Sequence, residues 1–237
     1  ISAAPVTYGP PTTVATGISF DALALEDLNG DSISDLVTLT ELPGVWVRLG
    51  TGTGGFGAPA FYSAGPALPD PWGVLAILVR DMNGDSRPDI VTANSSASVS
   101  VLLGTGTGSF ALGQPYDLGA TPWVGFPTMA SGDVNEDGVQ DLVVLTHAPG
   151  FHFFVSVLLG SGSGALGPPT STTIPSGTLA ECVALGDLNR DGHADLLLGI
   201  YEADGLHVDV ALGTGTGTFG VASSVSLGGD LVTVADV

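Results

Sequence analysis

Thirteen of the 24 acidic side chains sit in four short stretches. They are DLNGDSISD from 27, DMNGDSRPD from 81, DVNEDGVQD from 133 and DLNRDGHAD from 187. Each has aspartate at positions 1, 5 and 9 and asparagine at position 3, then runs into aliphatic residues. In a tight loop, side chains at 1, 3, 5 and 9 can turn toward one centre, and a backbone carbonyl from position 7 completes an oxygen cage of the kind hard cations take. Without a cation, carboxylates about 5 Å apart at an effective dielectric of ~20 repel by roughly 3 kcal/mol per pair. An Asx-turn hairpin accounts for Asp and Asn early in the segment. It gives no reason for a carboxylate at position 9, after the turn has closed. The expected ligands are Asp27, Asn29, Asp31 and Asp35; Asp81, Asn83, Asp85 and Asp89; Asp133, Asn135, Asp137 and Asp141; and Asp187, Asn189, Asp191 and Asp195. The carbonyls of Ile33, Arg87, Val139 and His193 complete the sets. The expected cofactor is Ca²⁺, one per loop and four in all; Mg²⁺ fits less well because it demands stricter octahedral geometry and keeps its waters.

The loops recur at intervals of 54, 52 and 54 residues, and a second landmark alternates with them: LGTGTGGFGAP from 49, LGTGTGSFALG from 103, LGSGSGALGPP from 159 and LGTGTGTFGVA from 212. Around these landmarks the sequence reads as short strands. One precedes each acidic loop (ALALED, LAILVRD, MASGD, VALGD) and one follows it (DLVTLTE, DIVTAN, DLVVLTH, DLLLGIY). A third ends at the glycine run, and a weaker fourth comes after it. A four-stranded antiparallel unit repeated about every 50 residues is the arithmetic of a β-propeller blade. The fold class is therefore all-β, with no helix and four full blades at about 18–63, 73–118, 124–174 and 178–227. Residues 1–17 read as the last strand of a preceding blade and 230–237 as the first strand of a following one. The chain is thus expected to be a single propeller or a segment of one, and strand edges left open at its ends invite self-association.

Composition narrows the partners. The 237 residues contain 24 Asp plus Glu against four cations, all arginine, for a formal charge of −20. Nucleic acid and anionic membranes need basic surface and are excluded as partners. Disorder is excluded by a hydrophobic content of 44%. No apolar run is long enough to span a membrane. The single cysteine, Cys182, cannot form an internal disulfide and reads as a small buried hydrophobe. No signal peptide is visible at Ile1, as expected of a mature or trimmed chain.

These stretches resemble the FG-GAP or VCBS-type repeat, the calcium-loop blade of integrin α-subunit propellers, of many bacterial surface proteins and of fungal lectin propellers. The resemblance covers nearly the whole chain. GGFGAP at 54–59 keeps the FG-GAP element closely, while GALGPP at 164–169 lacks the Phe. The resemblance implies one Ca²⁺ on the hairpin between the first and second strands of each blade. It also implies an extracellular or surface protein, of the secreted bacterial kind. The family's glycine at position 6 is present as Gly138 and Gly192 but replaced by Ser32 and Ser86, with Gly30 and Gly84 at position 4 instead. The first two loops are therefore expected to bind differently from the last two.

Other motifs carry less. GTGGFG at 52–57 satisfies GxGxxG but opens no helix, which a dinucleotide site requires. The four histidines lack zinc-like spacing, and no acid, base and nucleophile set stands outside the acidic loops. Trp72 and Trp123 fall in the connections entering the second and third blades, either as packing between blades or as an exposed platform for a sugar or peptide. The expected function is non-catalytic: an extracellular calcium-binding propeller module for adhesion or for a protein or carbohydrate ligand. A lectin, an accessory domain of a secreted enzyme and a self-assembling scaffold are the alternatives.

Overall fold

The computed structural model describes residues 22–39, 42–65, 74–111, 115–119, 127–148, 152–174, 179–202 and 205–226. Among them every regular element is a β-strand, and the strands form four antiparallel sheets in chain order. The first holds β1 (Leu23–Glu26), β2 (Asp35–Leu39), β3 (Gly44–Arg48) and β4 (Ala60–Ser63). The second holds β5 (Val74–Arg80), β6 (Asp89–Asn94), β7 (Ser98–Gly104), the two-residue β8 (Phe110–Ala111) and β9 (Pro115–Asp117). The third holds β10 (Thr128–Gly132), β11 (Asp141–Ala148), β12 (His152–Leu158) and β13 (Thr170–Ile174). The fourth holds β14 (Leu179–Gly186), β15 (Asp195–Glu202), β16 (Gly205–Ala211) and β17 (Ser223–Ser226). Neighbouring strands pair in sequence order, as in an up-and-down blade.

The apparent fifth strand of the second sheet has a simple origin. β8 pairs with the end of β7 (Gly104 opposite Phe110), and the other blades have an isolated bridge at the same place: Gly50 with Phe56, Gly160 with Leu166, Gly213 with Phe219. β9, which pairs with β7 further along, is the equivalent of the other blades' fourth strands. Leu166 thus occupies the site of the missing Phe and is buried there, at 8% exposure. A branched apolar residue closes this turn as an aromatic one does.

The core lies between the sheets. One apolar cluster joins Leu28, Val37 and Val45 of the first blade to Val74, Ile90 and Leu102 of the second. Another joins Met82, Val91 and Val99 of the second to Leu142, Val144 and Leu158 of the third. A third joins Val134, Val143 and Phe153 of the third to Ala180, Leu196 and Ile200 of the fourth. Face-to-face stacking explains why the second strands read as continuous apolar runs and not as strict alternation. With a neighbour on either side, both faces of β6 are dry, and all six of its residues are buried.

The sheets of the described residues span 23–63, 74–117, 128–174 and 179–226. Residues 1–17 and 230–237, expected as strands of flanking blades, lie outside the described residues, as do Trp72 and Trp123.

Candidate metal centres

Each acidic loop is a hairpin closed by one cross-strand pair: Glu26 with Asp35, Arg80 with Asp89, Gly132 with Asp141, Gly186 with Asp195. Position 9 is thus the first residue of the second strand in every blade, which fixes it relative to the sheet. Positions 1 to 8 form the turn.

Within the turn, short polar side chains hold the backbone. In the first loop Asp27 Oδ1 accepts the N–H groups of Gly30 at 2.7 Å and Asp31 at 3.2 Å, and Oδ2 accepts that of Ser32 at 2.7 Å. Asn29 Oδ1 accepts the Asp31 N–H at 2.9 Å, and Asp31 Oδ1 accepts the Ile33 N–H at 2.8 Å. Asn29 Nδ2 donates to Asp31 Oδ2 at 3.0 Å. The Asn-to-Asp bond recurs at 3.2, 2.9 and 2.8 Å in the other loops, and so do the turns at positions 3 and 5. Successive Asx turns curl the chain around its own side-chain oxygens. Burial pushes Asp27 up, but the N–H groups of Ser32, Gly30, Asn29 and Asp31 outweigh it and hold the carboxyl below its ordinary range.

The curl needs left-handed backbone twice. Position 4 has φ of 79°, 75°, 63° and 63° at Gly30, Gly84, Glu136 and Arg190, and position 6 has 64°, 64°, 82° and 90° at Ser32, Ser86, Gly138 and Gly192. Each loop therefore carries one glycine and one strained side chain at the same two places. The exchange of glycine between positions 4 and 6, read in the sequence as a difference between loops, leaves the backbone conformation the same in all four.

Position 9 has a role that the loop sequence by itself did not reveal. Asp35, Asp89, Asp141 and Asp195 are fully buried, at 0% exposure. One oxygen of each accepts the N–H of position 2 (Leu28, Met82, Val134, Leu188) at 2.8 to 2.9 Å. The other accepts the N–H of the glycine that opens the second landmark (Gly50, Gly104, Gly160, Gly213) at 2.7 to 2.8 Å. The carboxylate ties the acidic loop to the glycine turn, so its invariance within the chain has a cause independent of any ion. The signal was the co-occurrence of the two landmarks in every repeat. A Cβ on Gly50 would fall against the Ser34 backbone, which accounts for glycine at the receiving end.

Burial pushes the Asp89 and Asp141 carboxyls above the ordinary range, against the two N–H bonds each receives, and the like charges of positions 1 and 5 push them further. Little positive charge compensates. Arg87 Nη1 lies 3.8 Å from Asp85 Oδ2 in an exposed pair, and His193 Nδ1 meets Glu136 Oε1 of the neighbouring loop.

The donors are hard oxygens throughout and fit calcium in kind. Their present placement is one in which they satisfy each other and the backbone. Among the described residues no group of three or more His, Cys, Asp or Glu is arranged to hold a metal ion. Beside two of the loops, a cleft of about 790 Å³ opens between the second and third blades, lined by Arg80, Asp81, Asn83, Ser131 and Gln140 among others. The buried Ser131 hydroxyl has no hydrogen-bond partner.

Cys182 is half-buried against Gly199 of the adjacent strand. The GTGGFG stretch is the turn between β3 and β4, and no helix follows it.

A repeating blade with a hydrogen-bonded acidic hairpin at one connection and a glycine turn at the next defines a repeat protein of the propeller type. The profile of the FG-GAP-like repeat matches residues 27–92, 81–144 and 133–198, and the chain belongs to that family. No curated protein sequence matches it significantly. Among solved structures it is similar to a chain in the crystal structure of BBS1N in complex with ARL6DN, soaked with lead, with a TM-score of 0.52 and 14% identity. The match covers 91% of this chain and 58% of that one, so this chain spans less than two thirds of its neighbour's length. At that identity the likeness shows the fold alone.

Proposed function

We propose that this chain is a non-catalytic, extracellular interaction module whose acidic loops take up calcium, one ion per blade. The observation that carries this reading is the mutual repulsion inside each loop. Three aspartates share each hairpin, and in two loops burial pushes the carboxyl at position 9 up and the charges of positions 1 and 5 push it further. A divalent cation removes that repulsion, and the loops offer only the oxygen donors it prefers. The residues that would hold it are the Asp and Asn side chains at positions 1, 3, 5 and 9 with the carbonyl at position 7. The ion's part would be electrostatic and structural, locking the hairpin without any reaction.

The charge of −20 favours cations and neutral or basic protein partners. Affinities of about 10⁻⁴ to 10⁻³ M, usual for extracellular modules, would keep such loops loaded outside cells and empty in cytosol. The family and the propeller-like neighbour support an interaction role, since that neighbour was crystallised in a complex with another protein. Calorimetric titration of the metal-free chain with CaCl₂ tests the metal reading. Four ions should bind, and Asp31→Ala, which removes an exposed donor, should reduce the count to three. A titration without binding heat, checked by equilibrium dialysis, contradicts it.

A further inference from the structure

The joints between neighbouring blades are built from equivalent positions, and the middle joint departs from the other two. Two residues before the acidic loop of the following blade, Val79 packs on the apolar cluster between the first and second blades, and Leu185 on that between the third and fourth. Between the second and third blades the same place holds Ser131. Its cross-strand partner Leu142 belongs to the cluster those two blades share, so the serine stands on the facing surface where the other joints have an apolar residue. Its buried hydroxyl has no hydrogen-bond partner.

Three more positions differ at this joint. Position 8 of the following loop is Gln140, against Pro88 and Ala194 at the other joints. The residue just before the preceding loop is Arg80, against Glu26 and Gly132. At the joint of the third and fourth blades Glu136, at position 4, reaches across to His193; here position 4 is Gly84, with no side chain to reach. These changes coincide with the cleft of about 790 Å³, whose walls are two blades of this chain and whose volume is that of a small-ligand site.

The unspent groups along the cleft are mainly donors. Asp81 already accepts the N–H groups of Gly84, Asp85 and Ser86, and both ends of the Asn83 amide are engaged by Asp85. Among the described residues, the side chains of Arg80, Ser131 and Gln140 have no hydrogen-bond or ion-pair partner. A guanidinium is a planar fork of N–H donors that matches a carboxylate. A phosphate has similar acceptors but brings further negative charge beside the acidic loops of a chain at −20. We propose that this cleft binds a carboxylate of a peptide partner, a C-terminus or an acidic side chain, held by Arg80 with Ser131 and Gln140 beside it. The cleft is larger than a bare carboxylate needs, which favours one carried on a peptide. This inference rests on reading the chain as an interaction module and is independent of calcium uptake.

Two-dimensional ¹H–¹⁵N NMR of the full 237-residue chain, in EGTA and ~0.15 M salt, reads the cleft separately from any metal. N-acetyl-Ala-Ala-Glu amide and N-acetyl-Ala-Ala-Ala with a free C-terminus should each shift the Gly84, Ser131 and Gln140 amide resonances saturably, and N-acetyl-Ala-Ala-Gln amide should not. Arg80→Gln, at an exposed position, should weaken binding about tenfold or more, the loss of one hydrogen bond to a charged group. Ser131→Val restores the residue type of the first joint and should abolish binding with the melting temperature unchanged or raised. Acetate that shifts the same resonances as strongly as the peptides supports the carboxylate site and moves its source to free small acids. Equal shifts with the glutamine peptide, tighter binding of inorganic phosphate, binding that appears only when calcium is added, or binding untouched by Arg80→Gln each overturns the proposal.

Discussion

Asp89 has two duties that pull in different directions. Its carboxylate is out of water, accepts the N–H groups of Met82 and Gly104, and faces the charges of Asp81 and Asp85. Removing it with Asp89→Ala strands two buried N–H groups at about 1–3 kcal/mol each. We expect a loss of about 2–5 kcal/mol in EGTA, measured by urea denaturation, before any metal effect enters. A loss below about 1 kcal/mol would mean that the carboxylate matters only as a ligand. Because its folded pKa is raised, Asp89 favours the fold when protonated, and that contribution is lost as pH rises from the ordinary carboxyl value through the raised one. Calcium would reverse the sign by favouring the ionised form. The backbone makes a second residue-scale prediction. Gly30 has φ +79° and nothing within 4 Å of its missing Cβ, so Gly30→Ala reports left-handed strain without a clash and should cost about 1 kcal/mol. Ser32→Gly, at φ +64°, should cost nothing or stabilise by a few tenths. Equal losses from both would contradict the assignment of strain to these positions. The acidic pattern was legible in the sequence because it repeats four times. The position-9 bonds to the glycine turn were not, because their partners lie 15 to 19 residues away in another loop.

Between elements, the joint of the third and fourth blades contains a titrating group outside the acidic loops. His147 on β11 contacts the Ala180 carbonyl of β14 through Nε2 and packs edge-on to Phe153 at 4.1 Å between ring centres. Burial holds its imidazole below the ordinary value, against the pull of that carbonyl and of the Glu181 charge. The unfolded chain therefore takes up the proton first, and stability is lost as pH falls through the unfolded pKa toward the lower folded one. Between pH ~7.5 and ~5.5 the native chain should lose more stability than His147→Leu, compared by urea denaturation at each pH. Parallel pH profiles for the two would exclude His147 as the cause. The sequence revealed the strands because their apolar runs and turn residues are local signals. It did not reveal that the core lies between blades, since contacts such as Tyr62 with Phe110 join residues of different repeats. Nor did it show that Leu166 could stand in for a phenylalanine at the closing bridge, which depends on the space the neighbouring blade leaves.

For the molecule as a whole, the propeller-type fold followed from periodicity, and the family from a resemblance carried by the acidic and glycine landmarks. The central claim remains that four acidic hairpins are completed by calcium. At about 10 mM calcium and affinities of 10⁻⁴ to 10⁻³ M, each site should add about 1.4 to 2.7 kcal/mol by mass action. With four sites in a chain of this size, the melting temperature should rise by roughly 10 °C or more. Thermal unfolding followed by circular dichroism, in calcium and in excess EGTA at the same ionic strength, measures this directly. A calcium-dependent rise of that size, absent with magnesium at equal concentration, is the predicted result; superimposable melts in calcium and EGTA would contradict the account.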